Sequence, residues 1–290
     1  MNLERDAETI LESIEWDKIS LERLQQIQSQ ISKQINIKIS EKKLEEDAQD
    51  KIYYYNASAK VFPETLQNSL GKYRKCVFAI SLGSKNFAYS ERIEACIKWI
   101  SKNFNSCVVL VGDSVYRLTV EVRSKLKGEE ALSLALKTGQ DFIKERRLLF
   151  DQYSGSCQFE FKMLSEIEKR SDFQIYYEEL QGLYQKNESF QRMVNSFAQT
   201  YLNRGKDVAD EPISEKQKYL ATSYLLEESA LFASVAKEGW LVFVYPGSIK
   251  SFEEIAEGLH PEVPEPLKQI VWVSLRLKKG HNTSEDRVGE

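Results

Sequence analysis

The chain has 290 residues, 42% of them apolar, enough for one substantial core with appendages. A net charge of -4 excludes general coating of nucleic acid, so any RNA partner has to be met by a local basic surface. Apolar runs such as CVVLVG at 107–112 fall far short of the roughly 18 residues of a membrane helix, no charged-then-apolar leader opens the chain, and Cys76, Cys96, Cys107 and Cys157 form no CxxC or Cys/His set for zinc; a soluble, cytoplasmic, metal-free protein is expected.

Residues 2–49 are charged, almost free of Gly and Pro, and carry Ile10, Leu11, Ile14, Leu21, Leu24, Ile27 and Ile31 at helical intervals. This predicts two amphipathic helices within a helical extension over 1–70. The texture then changes. KCVFAIS at 75–81 is the short continuous apolar run of a strand covered on both faces. SERIEACIKWISKNF at 90–104 has helical periodicity with Ser90 as its cap, and SCVVLVGD at 106–113 is a second buried strand, completing a parallel βαβ unit. A long helix over 129–150 precedes a strand, CQFEFKML at 157–164, then two helical stretches and a polar break at 204–214. Another helix spans 215–237, WLVFVYPG at 240–247 is the last strong strand, QIVWVSLRL at 269–277 is a weaker one, and 278–290 reads as a disordered tail. Alternating strands and helices predict an open, Rossmann-like, doubly wound α/β sheet over 71–277.

Such sheets bind ligands outside the carboxyl ends of their strands, where Ser81, Gly112-Asp113-Ser114 and Tyr245-Pro246 fall. Ser81 is either a hydroxyl capping the following loop or a nucleophile, and histidine could activate it only if His260 folds back onto it. Strand followed by Gly-Asp-Ser resembles the GDS-type esterases and lipases, with Glu257-Gly-Leu-His260 in place of their Asp-x-x-His. The alternative there is a strand-end turn with Asp113 capping the next segment. On the 215–237 helix, with Tyr224 as zero, Leu220, Ala221, Leu225, Leu231, Phe232 and Val235 cover an arc from about -40° to +100°. Glu228 falls inside it at about +40°, and Glu227, at about -60°, is expected in solvent. An inward carboxylate needs a partner, an internal Arg or a cationic ligand, and Tyr224 lies one turn earlier on the same face. On the long helix Lys137, Lys144 and Arg147 lie opposite an apolar arc of Ala135, Phe142, Leu149 and Phe150, with Arg146 inside that arc.

Ser81 on the first strong strand, Tyr224 and Glu228 on a late helix and Tyr245 at the next strand's end together resemble the tRNA-dependent cyclodipeptide synthases over about 76–277. The segment matching that family's Gly-x-Ser-x-Gly-Asn is Ala79-Ile-Ser81-Leu-Gly83-Ser84; an alignment on Asn86 is the alternative and would put Gly83 at the nucleophile position. Ser84 stands where one branch has Asn and Tyr245-Pro246 where it has Tyr-His, so the resemblance is to the branch marked by Tyr-Pro. It implies a fold like the catalytic domain of class I tyrosyl- and tryptophanyl-tRNA synthetases, while the His-x-Gly-His and Lys-Met-Ser-Lys-Ser signatures of ATP-dependent activation are missing. It further implies a monomer without cofactor or metal that uses two aminoacyl-tRNAs in sequence. Ser81 would take the first aminoacyl group, and Glu228 and Tyr224 would hold its ammonium. A second aminoacyl-tRNA would provide the amine that forms a dipeptidyl-enzyme, whose own amine closes a 2,5-diketopiperazine with Glu228 or Tyr245 relaying protons. Gly83, Ser84 and Pro246 would line the substrate pocket, and Lys137, Lys144, Arg146 and Arg147 would meet tRNA phosphates. The readings left standing beside it are the GDS-type esterase built on Ser114 and His260, and a non-catalytic tRNA-binding module.

Overall fold

Three continuous apolar runs become three of the four inner strands of a sheet in the computed structural model, which describes residues 19–20, 23, 53–124, 126–204 and 213–281. In chain order the elements are β1 (Tyr53–Phe62), β2 (Lys75–Ile80), α1 (Ser90–Asn103), β3 (Ser106–Val111), α2 (Asp113–Arg123), α3 (Glu129–Asp151), β4 (Gln158–Met163), α4 (Ser171–Lys186), α5 (Glu188–Asn203), α6 (Glu215–Lys237), β5 (Val242–Pro246), α7 (Lys250–Ala256) and β6 (Val271–His281). Residues 54–280 form one compact unit. The sheet order is β1-β6-β5-β2-β3-β4, and the β2/β3, β3/β4, β2/β5 and β5/β6 pairs are parallel. The expected doubly wound sheet is therefore present.

Its topology fixes where a ligand can bind. From β2 the chain moves outward through β3 to β4, and the later strands β5 and β6 lie on β2's other side, so strand order reverses between β2 and β5. At such a switch point the crossover connections diverge to opposite faces and leave a crevice at the carboxyl ends. Val77 pairs with Phe243 and Phe78 with Val244; continuing that register sets Ile80 level with Pro246. The crevice thus opens between Ser81 and the Tyr245-Pro246 end of β5.

One helix dominates the core. Ser214 and Gln217 form a reciprocal capping box that starts α6, and every residue from Leu220 to Ala236 is buried. A helix buried all round packs on several elements at once, here α2, α4 and α5, instead of lying with one stripe on a sheet. Asn187 caps α5 through its side chain, which accepts from the Phe190 N–H at 2.9 Å.

Several expectations need correction. Within the segment read as a helical extension, residues 53–62 form the edge strand β1 and Glu64–Lys72 a 3-10 helix. In β1 half-buried or buried Tyr55, Ala57, Ala59 and Val61 alternate with exposed Asn56, Ser58 and Lys60, the two-residue period of a strand. Strand β6 runs to His281, into the segment read as tail. The two predicted N-terminal helices lie outside the described residues, apart from residues 19–20 and 23, as does the rest of the tail. Ser90 is the first helical residue of α1 and Tyr89 its cap. Helix α2 begins at the Gly-Asp-Ser sequence, and α7 follows β5; neither was foreseen. Among the described residues no helix is long and apolar enough to cross a membrane.

Asp113, wholly buried, reaches past its own helix to the chain leaving β4. Its Oδ1 accepts from the Ser165 N–H at 2.9 Å and its Oδ2 from the Ser165 hydroxyl at 2.5 Å. Helix α3 comes close enough to cover this pair because residue 139 is glycine: a Cβ there would sit 2.7 Å from the Asp113 Cβ. We predict that Gly139→Ala, although it favours helix by about 1 kcal/mol, is destabilising overall by roughly 1–3 kcal/mol, because the opposing atom is a pinned Cβ. A urea midpoint at or above that of the wild type would refute the packing argument.

Candidate active site

Ser81 is half-buried directly after β2, in a turn closed by the Ser84 N–H donating to the Ser81 carbonyl at 3.0 Å. The Ser84 hydroxyl accepts from the Asn86 N–H at 3.3 Å and so caps a short 3-10 helix. Asn86 then spans the crevice: its Nδ2 donates to the Pro246 carbonyl, and its Oδ1 accepts from Arg92 Nη2 at 2.5 Å. The turn carrying the serine is in this way fastened to the end of β5. Helix α2 presses on it from the other side, since a Cβ at Gly83 would stand 3.2 Å from Tyr116 and 3.3 Å from Thr119.

Glu228 points into this region, 8% exposed. Its Oε1 accepts from the Tyr224 hydroxyl at 3.5 Å, a long bond, and among the described residues no Lys or Arg pairs with it. Burial raises its pKa to about 8, against which the Tyr224 hydroxyl works. Tyr224 itself is pushed well above the usual phenol range, by burial first and then by the Glu228 charge, while a hydrogen bond from Ser81 opposes the rise. Burial also raises Tyr245, countered by hydrogen bonds from Ser84 and Ser81. The Ser81 hydroxyl therefore stands between the two phenols, and Glu228 acts on both. Aromatic rings wall the place: Tyr201 and Phe197 stack on Tyr224 with centroids 5.3 and 6.1 Å away, and the Tyr201 hydroxyl donates to Thr119 at 2.6 Å.

The adjacent carboxylate corrects the arc-based reading. Glu227 is buried, 6% exposed, with Arg117 Nη2 2.8 Å from each of its oxygens. Burial raises its pKa and Arg117 opposes. Two neighbouring carboxylates are thus differently supplied, Glu227 with an internal arginine and Glu228 with a phenol and open chemistry. A buried carboxylate without a cation, ringed by aromatic faces, suits an ammonium ligand.

On α3, Lys137 and Lys144 are exposed as expected, and Arg147 is exposed with its guanidinium over the Phe161 ring at 4.8 Å. Arg146 is half-buried and donates to the Ser90 hydroxyl at 2.6 Å, so it ties α3 to α1. The esterase constellation is not assembled. Ser114 is buried with no hydrogen-bond partner for its hydroxyl among the described residues, and His260 is buried against Phe190 with Nε2 3.2 Å from Glu254. A serine triad needs the hydroxyl on the imidazole, and here the two have different surroundings. Sequence reasoning named the four central residues but missed Asn86 as a tether and the wall of Tyr116, Thr119, Phe197 and Tyr201; for those wall residues no local signal existed.

The family model for cyclodipeptide synthases matches residues 60–238. No curated protein matches the chain by sequence. Among solved structures, a cyclodipeptide synthase from Fluoribacter dumoffii is 23% identical with a TM-score of 0.67, over 79% of this chain and 100% of that one. One from Candidatus Glomeribacter gigasporarum, solved bound to Phe-tRNAPhe, is 18% identical with a TM-score of 0.57, over 80% and 99% of the two chains. A Mycobacterium tuberculosis structure, described as relating cyclodipeptide synthetases to type I tRNA synthetases, is 13% identical with a TM-score of 0.54, over 78% and 94%.

The Glu228 pKa carries a stability signature. The folded protein holds this proton up to about pH 8 whereas an unfolded carboxylate releases it near 4.5, so stability falls as pH rises through that window. Glu228→Gln has no such proton to lose. Its melting temperature should lie close to the wild type near pH 5 and exceed it by roughly 10 °C near pH 8.5; a pH-independent difference would contradict the burial of this carboxylate.

Proposed function

The chain belongs to the cyclodipeptide synthase family and is an aminoacyltransferase, and on that footing we propose that it joins the aminoacyl groups of two aminoacyl-tRNAs, used in sequence, into a 2,5-diketopiperazine through covalent intermediates on Ser81. The observation that carries the proposal is the buried Glu228 carboxylate, held without a cation among the described residues and against the same Tyr224 hydroxyl that Ser81 reaches. The ammonium of an aminoacyl group is the partner it lacks.

In the first step Ser81 Oγ attacks the ester carbonyl, its proton passes to the departing ribose oxygen of the tRNA, and the acyl group remains as a serine ester. An ester of this kind is already activated, so positioning suffices where a histidine base is missing. The ammonium sits against Glu228 and Tyr224. To become a nucleophile it has to lose a proton, and a carboxyl whose pKa is about 8 is matched to an α-amine, whose ordinary value is about 7.7–8.0. Atom balance then decides which amine forms the peptide bond. An incoming amine attacking the serine ester would carry the dipeptide away on tRNA; a dipeptidyl-enzyme arises when the amine already on Ser81 attacks the second ester. This corrects the order of attack expected from sequence. Finally the new terminal amine attacks the serine ester and expels Ser81 Oγ. Tyr245, kept protonated by burial, supplies that oxygen's proton and recovers one from the cyclising ammonium through Glu228.

Gly83, Ser84 and Pro246 shape the pocket in this proposal, Gly83 by admitting Tyr116 and Thr119, Ser84 through Tyr245, and Pro246 by receiving Asn86. Tyr245-Pro246, with Ser84 in the place of Asn, supports the Tyr-Pro branch. Lys137, Lys144 and Arg147 are the phosphate contacts, and Arg146 holds the helix in place. The enzyme works as a monomer in the cytoplasm, where charged tRNA is made.

Ser81→Ala, supplied with charged tRNA, should give no cyclodipeptide and retain no radiolabelled aminoacyl group after denaturation; full product output would end the covalent scheme. Replacing Lys137 and Lys144 by Ala should weaken binding of tRNA and flatten the slope of log affinity against log salt by about one unit per lost phosphate contact, as read by filter binding at several salt concentrations. An unchanged slope would move the RNA contact elsewhere.

A further inference from the structure

A second cavity of about 630 Å³ lies on the side of the crevice formed by β1, β5 and β6, lined among others by Phe62, Asn86, Arg92, Pro246, Gly247 and Arg276. It adjoins the reaction centre through one hydrogen bond, because Asn86 in its wall donates to Pro246, the residue after Tyr245. Its charge is unbalanced. Arg92 and Arg276 form no ion pair with a carboxylate among the described residues, and Arg92 Nε is buried with no hydrogen-bond partner. The Arg92 guanidinium rests over the Tyr55 ring at 5.5 Å with its Nη2 on Asn86, which holds it toward the cavity. The acidic group in the lining, Glu253, accepts the Ser274 hydroxyl at 2.7 Å.

The helix that carries Arg92 is also tied to the basic helix. Arg92 stands in the first turn of α1, and the same turn holds α3 through the bond from Arg146 to Ser90. Tyr89, the α1 cap next to Ser90, is 60% exposed. The start of α1 thus brings together an exposed aromatic, a tie to the helix that carries Lys137 and Lys144, and a guanidinium that lines the cavity. Cations tracking a backbone with an aromatic platform for a base are the means by which single-stranded nucleic acid is held. The other large cavity, about 540 Å³ between α5 and α7, is lined by Arg192, Arg204, Phe197 and Lys250, and its charge is partly met within the wall, where Glu254 lies 3.5 Å from Lys250 and 3.2 Å from His260.

We infer that this cavity binds the unpaired 3′-terminal nucleotides of aminoacyl-tRNA, with the last nucleoside phosphate on Arg92 and Arg276 and a preceding base stacked on Tyr89. This rests on the function proposed above, since the ribose of that last nucleotide carries the ester presented to Ser81. It adds a named seat for the RNA end, separate from the amine pocket and from the helix proposed to meet tRNA phosphates.

The test uses the full chain and a 5′-fluorescent cytidylyl-cytidylyl-adenosine trinucleotide, read by anisotropy, beside kinetics with aminoacyl-tRNA. Tyr89→Ala and Arg276→Glu should each weaken trinucleotide binding by about tenfold and raise KM for aminoacyl-tRNA to match, with kcat within about twofold. Lys144→Ala should weaken whole tRNA and leave the trinucleotide unaffected. The inference is overturned if neither substitution alters trinucleotide binding, or if KM stays constant. It is equally overturned if AMP alone binds as tightly as the trinucleotide without competing against aminoacyl-tRNA, which would make this a free-nucleotide site. Should no cyclodipeptide form under any condition while trinucleotide binding responds to both substitutions, the proposed function fails and the seat for the RNA end stands.

Discussion

A helix enclosed by protein on every side is the constraint from which the rest of this molecule follows. Because α6 has no solvent face between Leu220 and Ala236, a carboxylate on it is costly unless it is satisfied within the fold or by a ligand. Arg117 from α2 satisfies Glu227 and places α2 beside α6. Glu228, one residue on, receives among the described residues a long bond from Tyr224 and no ion pair. The two carboxylates differ by about 100° around the helix axis, which suffices to send one toward a structural arginine and the other toward the crevice. Under the proposed function, stability and chemistry are thereby divided between consecutive residues.

Precision at the serine comes from outside its own strand. Asn86 joins the turn after β2 to the end of β5, and Arg92 fixes Asn86 from α1. Gly83 lets α2 close over the turn, and Gly139 lets α3 close over the start of α2. These are contacts between elements far apart in sequence, and they convert a flexible strand-end turn into a surface of defined shape. Positioning is what an already activated ester requires from a catalyst.

How much of this the sequence disclosed depends on the range of the interaction. The inner strands and the helices α1, α3 and α6 were legible because continuous apolar runs and 3.6-residue periods are local signals. Strand β1 was overlooked because its inward positions include small alanines, which weaken the alternation that marks an edge strand. Glu227 was misplaced because projecting a helix onto an arc assumes a wet side, and α6 has none. Arg146 read correctly as lying inside the apolar arc of α3, yet its bond to Ser90 depends on how α3 crosses α1, which periodicity does not encode. The catalytic candidates were recognisable by their order along the chain, whereas the aromatic wall around them comes from α2 and α5, whose side chains meet only when the helices pack.

The carboxyl group of Glu228, neutral in the empty protein over most of the physiological range, has a selective consequence under the proposed function. A charged tRNA whose amine is blocked, such as an initiator carrying a formyl group or a ribosomal nascent chain, brings no positive charge to the pocket and has no proton to give up there. Such molecules gain nothing from entering, and an enzyme drawing on the pool that feeds translation would pass over both while taking ordinary elongator species.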